Sequence, residues 1–396
     1  MPWNFKLFGP PGTGKTTAMI NTLSSWLKEV PIDEIAFATF TRAARKEVED
    51  RVRQDPRYKH HKNFPRLKTI HAMCYAELRG VNVMGAKELK AFGKSAGVDL
   101  NTGLTLNPLM DNEFTFIRAR NQWDKILQAY HLARHKMMEL SEVLPIEIPQ
   151  SAADAFIKAF RGWKTTQGLS DFTDLLFLYL NFGHPLPIKR MIIDEAQDLS
   201  KLQWKVVDKM SEKCEMVHIA GDDDQAIFNW AGASSEVFLD RKVDENKVLG
   251  NSHRLTAQVK EVADRIISRV DRRQEKTFIP RVMTGSNVEL AFRLTEDMFQ
   301  DPNTMVLARG RSQLNEMLMP LKFLKARLLD GMMTIHQAKG REANTVVLNT
   351  AMPRPSHDHF WQVSDQEEHR VWYVAVTRAK HRLIIYKPDS WRNYDI

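Results

Sequence analysis

Residues 9–17 read Gly-Pro-Pro-Gly-Thr-Gly-Lys-Thr-Thr, which has the spacing of a phosphate-binding loop: glycine, four residues, then glycine, lysine and threonine. An apolar run at residues 5–8 predicts a strand before the loop, and residues 16–29 predict a helix after it. Glycines in such a turn let backbone N–H groups converge on phosphates, and the helix N-terminus adds positive potential. An idle glycine-rich turn is the alternative, and the flanking strand and helix argue against it. The predicted nucleotide-binding residues are Gly9, Pro10, Gly12, Thr13, Gly14, Lys15, Thr16 and Thr17.

Phosphoryl transfer needs more than the loop. Within the loop, Lys15 would bridge the β- and γ-phosphates of a nucleotide, and the Thr16 hydroxyl would ligate Mg²⁺. Asp194 and Glu195 follow an apolar run at a predicted strand end. We therefore predict that Asp194 holds Mg²⁺ and that Glu195 polarises the attacking water. An Asp-Glu pair alone is more typical of a solvated helix face, but the preceding strand and the phosphate loop favour the catalytic interpretation.

Strands and helices alternate along the chain, which is the pattern of a parallel sheet covered by helices. In the first part the predicted strands are residues 35–39, 190–194 and 216–220, and the predicted helices are residues 42–52 and 201–210. Residues 76–168 are mostly helical in pattern and have no clear strand, so we interpret them as an insertion.

A second α/β unit of similar size follows from residue 249 onward. Its predicted strands are residues 288–293, 304–307, 332–335, 345–349 and 382–386, and its predicted helices are residues 256–270, 312–318 and 367–376. The sequence therefore predicts a first domain made of residues 1–75 and 169–250, a helical insertion at 76–168, and a second domain at 251–396.

Composition narrows the class of protein. Lysine and arginine number 57 against 49 aspartate and glutamate residues, a net charge of +8 that fits a nucleic acid partner but is also common in proteins that bind none. Cys74 and Cys214 are too few for a disulfide framework or a four-thiolate zinc site, so we expect structural thiols in a reducing cytoplasm. No run reaches the roughly 18 apolar residues that span a bilayer, so no membrane partner is expected.

Two histidines, His131 and His135, lie four residues apart on a predicted helix, as in zinc peptidases. Leu132 stands where such a site needs its catalytic glutamate. Structural or solvent-exposed histidines are therefore the better interpretation.

Residues 194–198, Asp-Glu-Ala-Gln-Asp, resemble the second motif of the UvrD/Rep-type superfamily 1 DNA helicases. Other segments resemble the remaining motifs of that family, in the family's order. They are motif Ia at residues 37–44, motif Ib at 69–71, the segment before motif II at 171–176, motif III at 221–233, motif IV at 251–254, motif V at 334–342 and motif VI at 373–379. The resemblance implies an α/β fold of two RecA-like P-loop NTPase domains with parallel sheets and a mostly helical insertion in the first.

The resemblance also implies that the chain hydrolyses ATP with Mg²⁺. The catalytic residues that it implies are Lys15, Glu195, Gln225, Arg254 and Arg378. The Gln225 side chain could bind either the γ-phosphate or the attacking water. Arg254 and Arg378 would stabilise the transition-state charge on the γ-phosphate, whereas a lone arginine outside such motifs more often forms a surface salt bridge. Glu342 would contact the ribose, and His253, where the family has tyrosine, would stack on adenine.

Single-stranded nucleic acid is held by stacking platforms and by phosphate contacts. Trp230 follows Gln225 by five residues, so the state of the nucleotide could reach a base-stacking surface directly. The DNA-binding residues implied by the resemblance are Phe40, Arg42, Thr69, His71, Phe228, Trp230, Thr334 and His336. For a lone tryptophan, a place in the hydrophobic core is the more common alternative.

Three features depart from the family pattern. Eight residues precede Gly9 and none is glutamine, which leaves the recognition of adenine open. Ala231 stands where an arginine is usual. About two dozen residues separate Arg309 from Met333, where relatives insert an accessory domain. The resemblance is therefore to a minimal form of the family that lacks this insertion.

The sequence thus predicts an ATP-dependent translocase and helicase on single-stranded DNA, acting in replication, repair or recombination, with 3′→5′ polarity implied by the family alone. The expected partners are single-stranded DNA, duplex junctions and a protein that adds processivity. The expected protein is a cytoplasmic monomer encoded by a bacterium or phage. A second hypothesis is a DNA-activated ATPase that serves as the sensor or switch subunit of a nuclease or defence complex without unwinding. A third, a nucleic-acid-binding module without hydrolysis, is disfavoured by the intact motifs.

Overall fold

The computed structural model describes residues 2–39, 42–59, 64, 66–105, 119–318, 331–354, 356–358 and 366–396. The chain divides into two compact units. The first unit comprises Met1–Leu7, Thr16–Gly221 and Phe228–Asn246, and the second comprises Phe8–Lys15, Asp222–Ile227 and Lys247–Ile396. The predicted domain boundaries after residues 75, 168 and 250 stay predictions.

The first unit is built on a six-stranded sheet. Its strands are β1 (Trp3–Phe8), β2 (Ile35–Ala38), β3 (Leu67–Lys68), β4 (Arg190–Ile193), β5 (Met216–Gly221) and β6 (Glu245–Val248). They lie in the order β3-β2-β4-β5-β1-β6, and β2 pairs in parallel with β3 and β4, as β4 does with β5. Every residue of β2 and β4 is buried, as is typical of parallel strands that are covered on both faces.

Nine helices of the described chain belong to this unit. They are α1 (Lys15–Trp26), α2 (Arg42–Val52), α3 (Ile70–Leu78), α4 (Ala86–Ser95), α5 (Gln122–Lys136), α6 (Gln150–Thr166), α7 (Phe172–Phe182), α8 (Lys201–Met210) and α9 (Ser235–Asp240). Four of them begin at side-chain caps, because a side chain just before the helix accepts a hydrogen bond from a backbone N–H of the first turn. The capping residues are Thr69, Asn121, Asp171 and Ser200. These caps fix where α3, α5, α7 and α8 begin.

Helices α4 to α6 form a hydrophobic core of their own. Its buried members are Met84, Leu89, Phe92, Leu100, Ile126, Leu127, Ile148, Ala153, Phe156, Ile157 and Phe160. Arg134 on α5 and Lys164 on α6 both form ion pairs with Asp171 and Asp174 at the start of α7. Burial opposes ionisation of Asp171, but the charges of Arg134 and Lys164 hold its pKa well below the ordinary value. These ion pairs join the helical insertion to the rest of the first unit.

The second unit contains a five-stranded parallel sheet in the order β11-β10-β12-β13-β9 and a parallel pair, β7 and β8. Its strands are β7 (Asn251–Thr256), β8 (Ile279–Arg281), β9 (Asn287–Ala291), β10 (Thr304–Ala308), β11 (Met332–Thr334), β12 (Ala343–Asn349) and β13 (Ala379–Tyr386). Its helices are α10 (Ala257–Ile267), α11 (Arg311–Leu318) and α12 (Gln366–Val376). Phe299, Val306, Leu314, Val347 and Ile384 are part of the core on one face of this sheet.

Two parallel sheets with intervening helices confirm the predicted α/β class. Within residues 76–168 the described part contains no strand, as the sequence predicted. Cys74 and Cys214 are buried free thiols, and burial raises the pKa of Cys214 to about 12. In the ranges that the structure describes, we find no helix with the length and apolarity that crossing a bilayer requires.

Hydrogen bonds through His135 connect α5, α7 and α8. Ser200 Oγ accepts from Gln203 N and lies 3.1 Å from His135 Nδ1. Thr173 Oγ1 lies 3.4 Å from His135 Nε2 and 3.1 Å from His131 Nδ1. Both histidines therefore have partners within the first unit, which is what the structural interpretation of the pair expects.

Burial favours the neutral form of His131, of His135 and of the nearby His71. It lowers the pKa of His131 to about 4, and also that of His71, whose ring lies 6.4 Å from that of His135, to about 4. Burial also lowers the pKa of His135 well below its ordinary value, and the neighbouring His71 lowers it further.

We expect the free energy of unfolding to fall as the pH is lowered from 7.5 to 5. The folded imidazoles stay neutral while those of the unfolded chain take up protons near pH 6.5, so their stabilisation is present above that pH and is lost below it. At pH 5 this effect is about 2 kcal/mol for His71. Urea unfolding at both pH values should show a smaller pH dependence in His135→Gln and an unchanged one in His184→Gln, whose histidine is exposed. An equal pH dependence in all three proteins would contradict the prediction.

Candidate functional site

The phosphate loop connects β1 to α1. Gly12 and Gly14 have φ values of +72° and +77°, in the region that favours glycine. Thr13 Oγ1 donates to Pro10 O at 2.7 Å, which closes the turn. The sequence pattern and the backbone therefore agree, because residues with side chains would be strained at both glycine positions.

Lys15 crosses the start of the loop. A Cβ built on Gly9 would lie 2.6 Å from the Lys15 Cβ, so the absence of a side chain at Gly9 leaves room for the lysine. Lys15 and Pro10 are buried, whereas Thr17 is exposed. The position of Lys15 fits its predicted contact with phosphates.

The outer side of the loop packs against β7 in the second unit. Ser252 Oγ donates to Pro11 O at 2.8 Å, and His253 N donates to Gly12 O at 2.8 Å. A Cβ on Gly12 would collide with the Cβ of Arg254. The structure thus places Arg254 next to the loop, while the His253 side chain is exposed. The predicted contact of Arg254 with the γ-phosphate stays a prediction.

Glu342 bridges two cations in the same unit. Arg254 Nε donates to Glu342 Oε2 at 2.6 Å, and Lys380 Nζ lies 2.5 Å from Glu342 Oε1. Partial burial raises the pKa of Glu342, but hydrogen bonds from Lys380 and Arg254 hold it below its ordinary value. Both carboxylate oxygens therefore bind side chains of this chain, and the predicted ribose contact of Glu342 stays a prediction.

Gln225 and Arg378, from the two segments that resemble motifs III and VI, are hydrogen-bonded to each other. Arg378 is 1% exposed, and its Nη2 donates to Gln225 Oε1 at 2.8 Å. Its Nε and Nη1 donate to the backbone carbonyls of Val374 and Arg341. The guanidinium is therefore held in one orientation by several acceptors.

The predicted metal ligands meet in the first unit. Thr16 Oγ1 donates to Asp194 Oδ2 at 2.8 Å, and Asp194 Oδ1 accepts from Glu195 N at 2.9 Å. Among the described residues there is no group of three histidine, cysteine or carboxylate side chains that could hold a metal. An ion that takes only one or two protein oxygens and completes its shell with water and phosphates, as Mg²⁺ does, fits this pair.

Glu195 has a left-handed backbone conformation, with φ +54°. Such a conformation is uncommon for a residue with a side chain and is often found at functional sites. Gln197 Nε2 donates to Glu195 Oε2 at 2.5 Å, and a Cβ on Gly221 would lie 2.7 Å from Gln197 Oε1. Gln197 therefore holds the carboxylate of the predicted base.

Sequence reasoning assigned no role to Gln197 or to Ser252. Gln197 lies within the Asp-Glu-Ala-Gln-Asp segment, so its position beside the predicted base was a usable signal. Ser252 had no such signal, because only the fold brings its hydroxyl to the loop carbonyl.

Trp230 is the predicted stacking residue whose surface is partly accessible. Its ring lies 6.5 Å from that of Phe228 in an edge-to-face arrangement. Phe40 lies outside the described residues, as does the side chain of Arg42, which begins α2.

Three predicted DNA contacts are buried. Phe228 is fully buried, and its ring belongs to the core. His71 and His336 are also buried, and burial lowers the pKa of each below its ordinary value. The contacts of these three residues with DNA stay predictions.

Two further predicted contacts, Thr69 and Thr334, have local partners. Thr69 is the cap of α3, and Thr334 Oγ1 donates to Gln337 Oε1 at 3.1 Å. Their contacts with DNA stay predictions.

Comparison with protein families gives two matches. A model of the UvrD/REP helicase N-terminal domain matches residues 4–246, and a model of the UvrD-like helicase C-terminal domain matches residues 327–389. Together with the two parallel sheets, these matches confirm the predicted fold of two RecA-like domains.

Individual relatives are distant. A probable DNA helicase II homolog of Mycoplasma capricolum is 24% identical over 313 residues, which cover 72% of this chain and 42% of the relative. The ATP-dependent DNA helicase Rep of Buchnera aphidicola is 24% identical over 306 residues, covering 72% and 44%. The chain thus spans less than half the length of either relative. A solved structure of Arterivirus nonstructural protein 10, a helicase, with DNA is similar at 15% identity and a TM-score of 0.45, over 98% of this chain and 62% of the other.

We expect Gly12→Ala to weaken ATP binding by about tenfold or more, because strain at positive φ and collision with Arg254 would both distort the loop. Gly80→Ala is the matched control, since Gly80 has φ +78° but no atom within 4 Å of an added Cβ. Titration of a fluorescent ATP analogue would measure both affinities. If both variants bind like the wild type, the loop geometry does not govern nucleotide binding.

Proposed function

The chain belongs to the UvrD/REP helicase family, and from that premise we propose that it hydrolyses ATP while moving along single-stranded DNA. The observation that carries this proposal is the contact between the phosphate loop and the start of β7. Ser252 Oγ and His253 N donate hydrogen bonds to two carbonyls of the loop. The backbone of Arg254 is therefore held against the turn that would bind the phosphates. Transition-state charge in phosphoryl transfer is stabilised by an arginine in such a position.

Arg254 and Arg378 would each supply a positive charge to the γ-phosphate. Each now donates to an acceptor oxygen, Arg254 to Glu342 and Arg378 to Gln225. A phosphate oxygen is an ionised acceptor, like the Glu342 carboxylate and unlike the neutral Gln225 amide. We propose that both guanidiniums exchange their partners for phosphate oxygens as charge develops, and that the released Gln225 amide then binds the attacking water.

Thr16 and Asp194 are the proposed Mg²⁺ ligands. Their side-chain oxygens lie 2.8 Å apart at the end of the phosphate loop, since Thr16 follows Lys15 in the chain. Mg²⁺, when bound there, neutralises charge on the β- and γ-phosphate oxygens.

Glu195 is the proposed general base. It follows Asp194 directly, its backbone is held in an uncommon conformation, and its carboxylate accepts from Gln197. A base whose position is fixed in advance can take the proton of water without reorganising. In this proposal Glu195 accepts that proton as the water oxygen attacks the γ-phosphorus and ADP leaves.

Trp230 is the proposed stacking platform for a base of single-stranded DNA. It is partly accessible and lies five residues after Gln225, so a change at Gln225 can move the segment that carries it. The 3′→5′ polarity, the action on duplex junctions and the use in replication, repair or recombination extend this proposal by family resemblance. So do the monomeric state, the cytoplasmic location and a protein partner for processivity.

One observation favours a second candidate function. About two dozen residues separate Arg309 from Met333, where relatives carry an accessory domain. A chain with so short a connection could hydrolyse ATP in response to DNA and serve as the sensor or switch of a larger complex without separating strands.

We expect single-stranded DNA to stimulate ATP hydrolysis, and Lys15→Ala to abolish it. Glu195→Gln should bind ATP normally but turn over about a hundredfold more slowly, because it removes the base while keeping the shape of the side chain. Glu212→Gln, at an exposed glutamate of the same unit, is the control. Steady-state ATPase rates with and without DNA test this, and full turnover by Glu195→Gln or Lys15→Ala would refute the proposed site.

A tailed duplex separates the two candidate functions. A helicase should release the labelled strand from a 3′-tailed substrate when ATP is added, whereas a sensor should hydrolyse ATP and leave the duplex intact. Trp230→Ala should weaken binding of single-stranded DNA by about 1–3 kcal/mol and slow strand release while sparing basal ATPase. Trp391→Ala, at a tryptophan that is 76% exposed, is the control. Equal DNA affinity in both variants would show that Trp230 is no stacking platform.

A further inference from the structure

A cluster of buried ions surrounds the turn that carries Gln225. Asp222, Asp223 and Asp224 are each 0% exposed, and Lys276, from the segment between α10 and β8, reaches all three. Lys276 Nζ lies 2.9 Å from Asp222 Oδ1, 2.5 Å from Asp223 Oδ1 and 2.9 Å from Asp224 Oδ2. All these residues belong to the second unit.

The three carboxylates differ in their other partners. Asp224 accepts two hydrogen bonds from the Arg273 guanidinium, at 2.8 and 2.7 Å, and Asp223 accepts one from Gln274 N at 2.8 Å. Asp222 Oδ2 instead accepts from Gln225 Nε2 at 2.6 Å. Asp222 therefore connects Lys276 to Gln225. Asp223 connects Lys276 to the backbone of Gln274, and Asp224 connects it to the Arg273 guanidinium.

The partners of Gln225 decide which way its amide points. The Asp222 carboxylate can only accept, so it must face the NH₂ group, and the Arg378 guanidinium can only donate, so it must face Oε1. This orientation holds as long as Asp222 is ionised. A protonated or amidated side chain at Asp222 could donate instead and turn the Gln225 amide over, which would set two donors, Arg378 and the NH₂ group, against each other.

We propose that Lys276 is a positioning residue for ATP hydrolysis. By binding Asp222 Oδ1 it holds the carboxylate so that Oδ2 accepts from the Gln225 NH₂ group. The Gln225 amide oxygen is thereby held toward Arg378. The inference rests on the proposed function for its kinetic consequence. Lys276 is well placed for this because its Nζ also lies 5.9 Å from the ring of Phe8, the last residue before the phosphate loop. Lys276 thus contacts both the residue that precedes the phosphate loop and the turn that carries Gln225.

Asp222→Asn tests the route through Asp222. Because Lys276 can only donate, it should attract the amide oxygen of the new asparagine, whose NH₂ group then faces Gln225 and turns its amide over. We expect kcat for ATP to fall about tenfold while KM stays within about threefold, since nucleotide binding by the loop is untouched.

The double variant Asp222→Asn with Lys276→Met is the decisive comparison. Without the lysine, only the long hydrogen bond from Asp224 N, at 3.3 Å, still draws the asparagine oxygen away from Gln225. We therefore expect the double variant to be about threefold or more faster than Asp222→Asn alone. A cluster that is only structural predicts the opposite, because the second substitution would add further damage. A double variant that is as slow as, or slower than, Asp222→Asn would overturn the proposal.

Asp223→Asn is the matched control, since Asp223 binds Lys276 but has no hydrogen bond to Gln225 among the described contacts. We expect its kcat to stay near that of the wild type. A loss as large as that of Asp222→Asn would overturn the proposed route. Lys276→Met alone should lower kcat more than Asp223→Asn does, because Asp222 then loses the cation that binds its carboxylate. A Lys276→Met variant that is as fast as the wild type would also count against the proposal.

A second readout works even if the chain has no ATPase activity. The Gln225 side-chain amide can be followed by ¹⁵N NMR, its signal identified by its loss in Gln225→Glu. We expect the signal to shift in Asp222→Asn and to return in the double variant. A wild type without DNA-stimulated ATPase would refute the proposed function while this measurement still tests the positioning, and an unshifted signal in Asp222→Asn would refute the positioning itself.

Discussion

Two hydrogen bonds to the outer side of the phosphate loop hold the candidate site together. A loop whose N–H groups converge on phosphates must turn carbonyls the other way, and buried carbonyls need donors. Ser252 Oγ and His253 N supply them to Pro11 and Gly12. Because both donors precede Arg254, the same contacts that complete the loop also position a guanidinium beside it. The backbone at Ser252 and His253 therefore both completes the phosphate loop and places the Arg254 guanidinium beside it.

Buried carboxylates are held in the same way in both units. At the start of α7, Asp171 and Asp174 are paired with one arginine and one lysine from the insertion. At the turn before Gln225, the three aspartates are paired with Arg273 and Lys276. Buried ion pairs contribute little net stability, but removing one partner is costly, so they specify a single arrangement. In each case the ion pairs fix the position of a segment that resembles a helicase motif. The first is residues 171–176, and the second is residues 221–233.

The sequence predicted most strands of the two large sheets but missed β3 and β6, and it missed both strands of the β7–β8 pair. These strands are short or polar: β6 reads Glu-Asn-Lys-Val and β8 contains a proline. Their own residues carry little strand preference, and they form because a partner far along the chain pairs with them. Within the site, the loop and Asp194 could be predicted from local pattern. Ser252 and Lys276 could not, because their roles arise from contacts with segments that lie far away in sequence.

Residue type alone also could not separate exposed from buried members of a motif. Phe228 and Trp230 are both aromatic and two positions apart, yet the first is fully buried and the second is partly accessible. His71 resembles a phosphate contact by its motif, but burial keeps its imidazole neutral. By itself the sequence determined the phosphate loop, the carboxylate pair and the order of the motifs, because these depend on residues adjacent in the chain. Which side chains meet, and in which state of charge, was decided only by the tertiary structure, because burial and pairing depend on neighbours that only folding supplies.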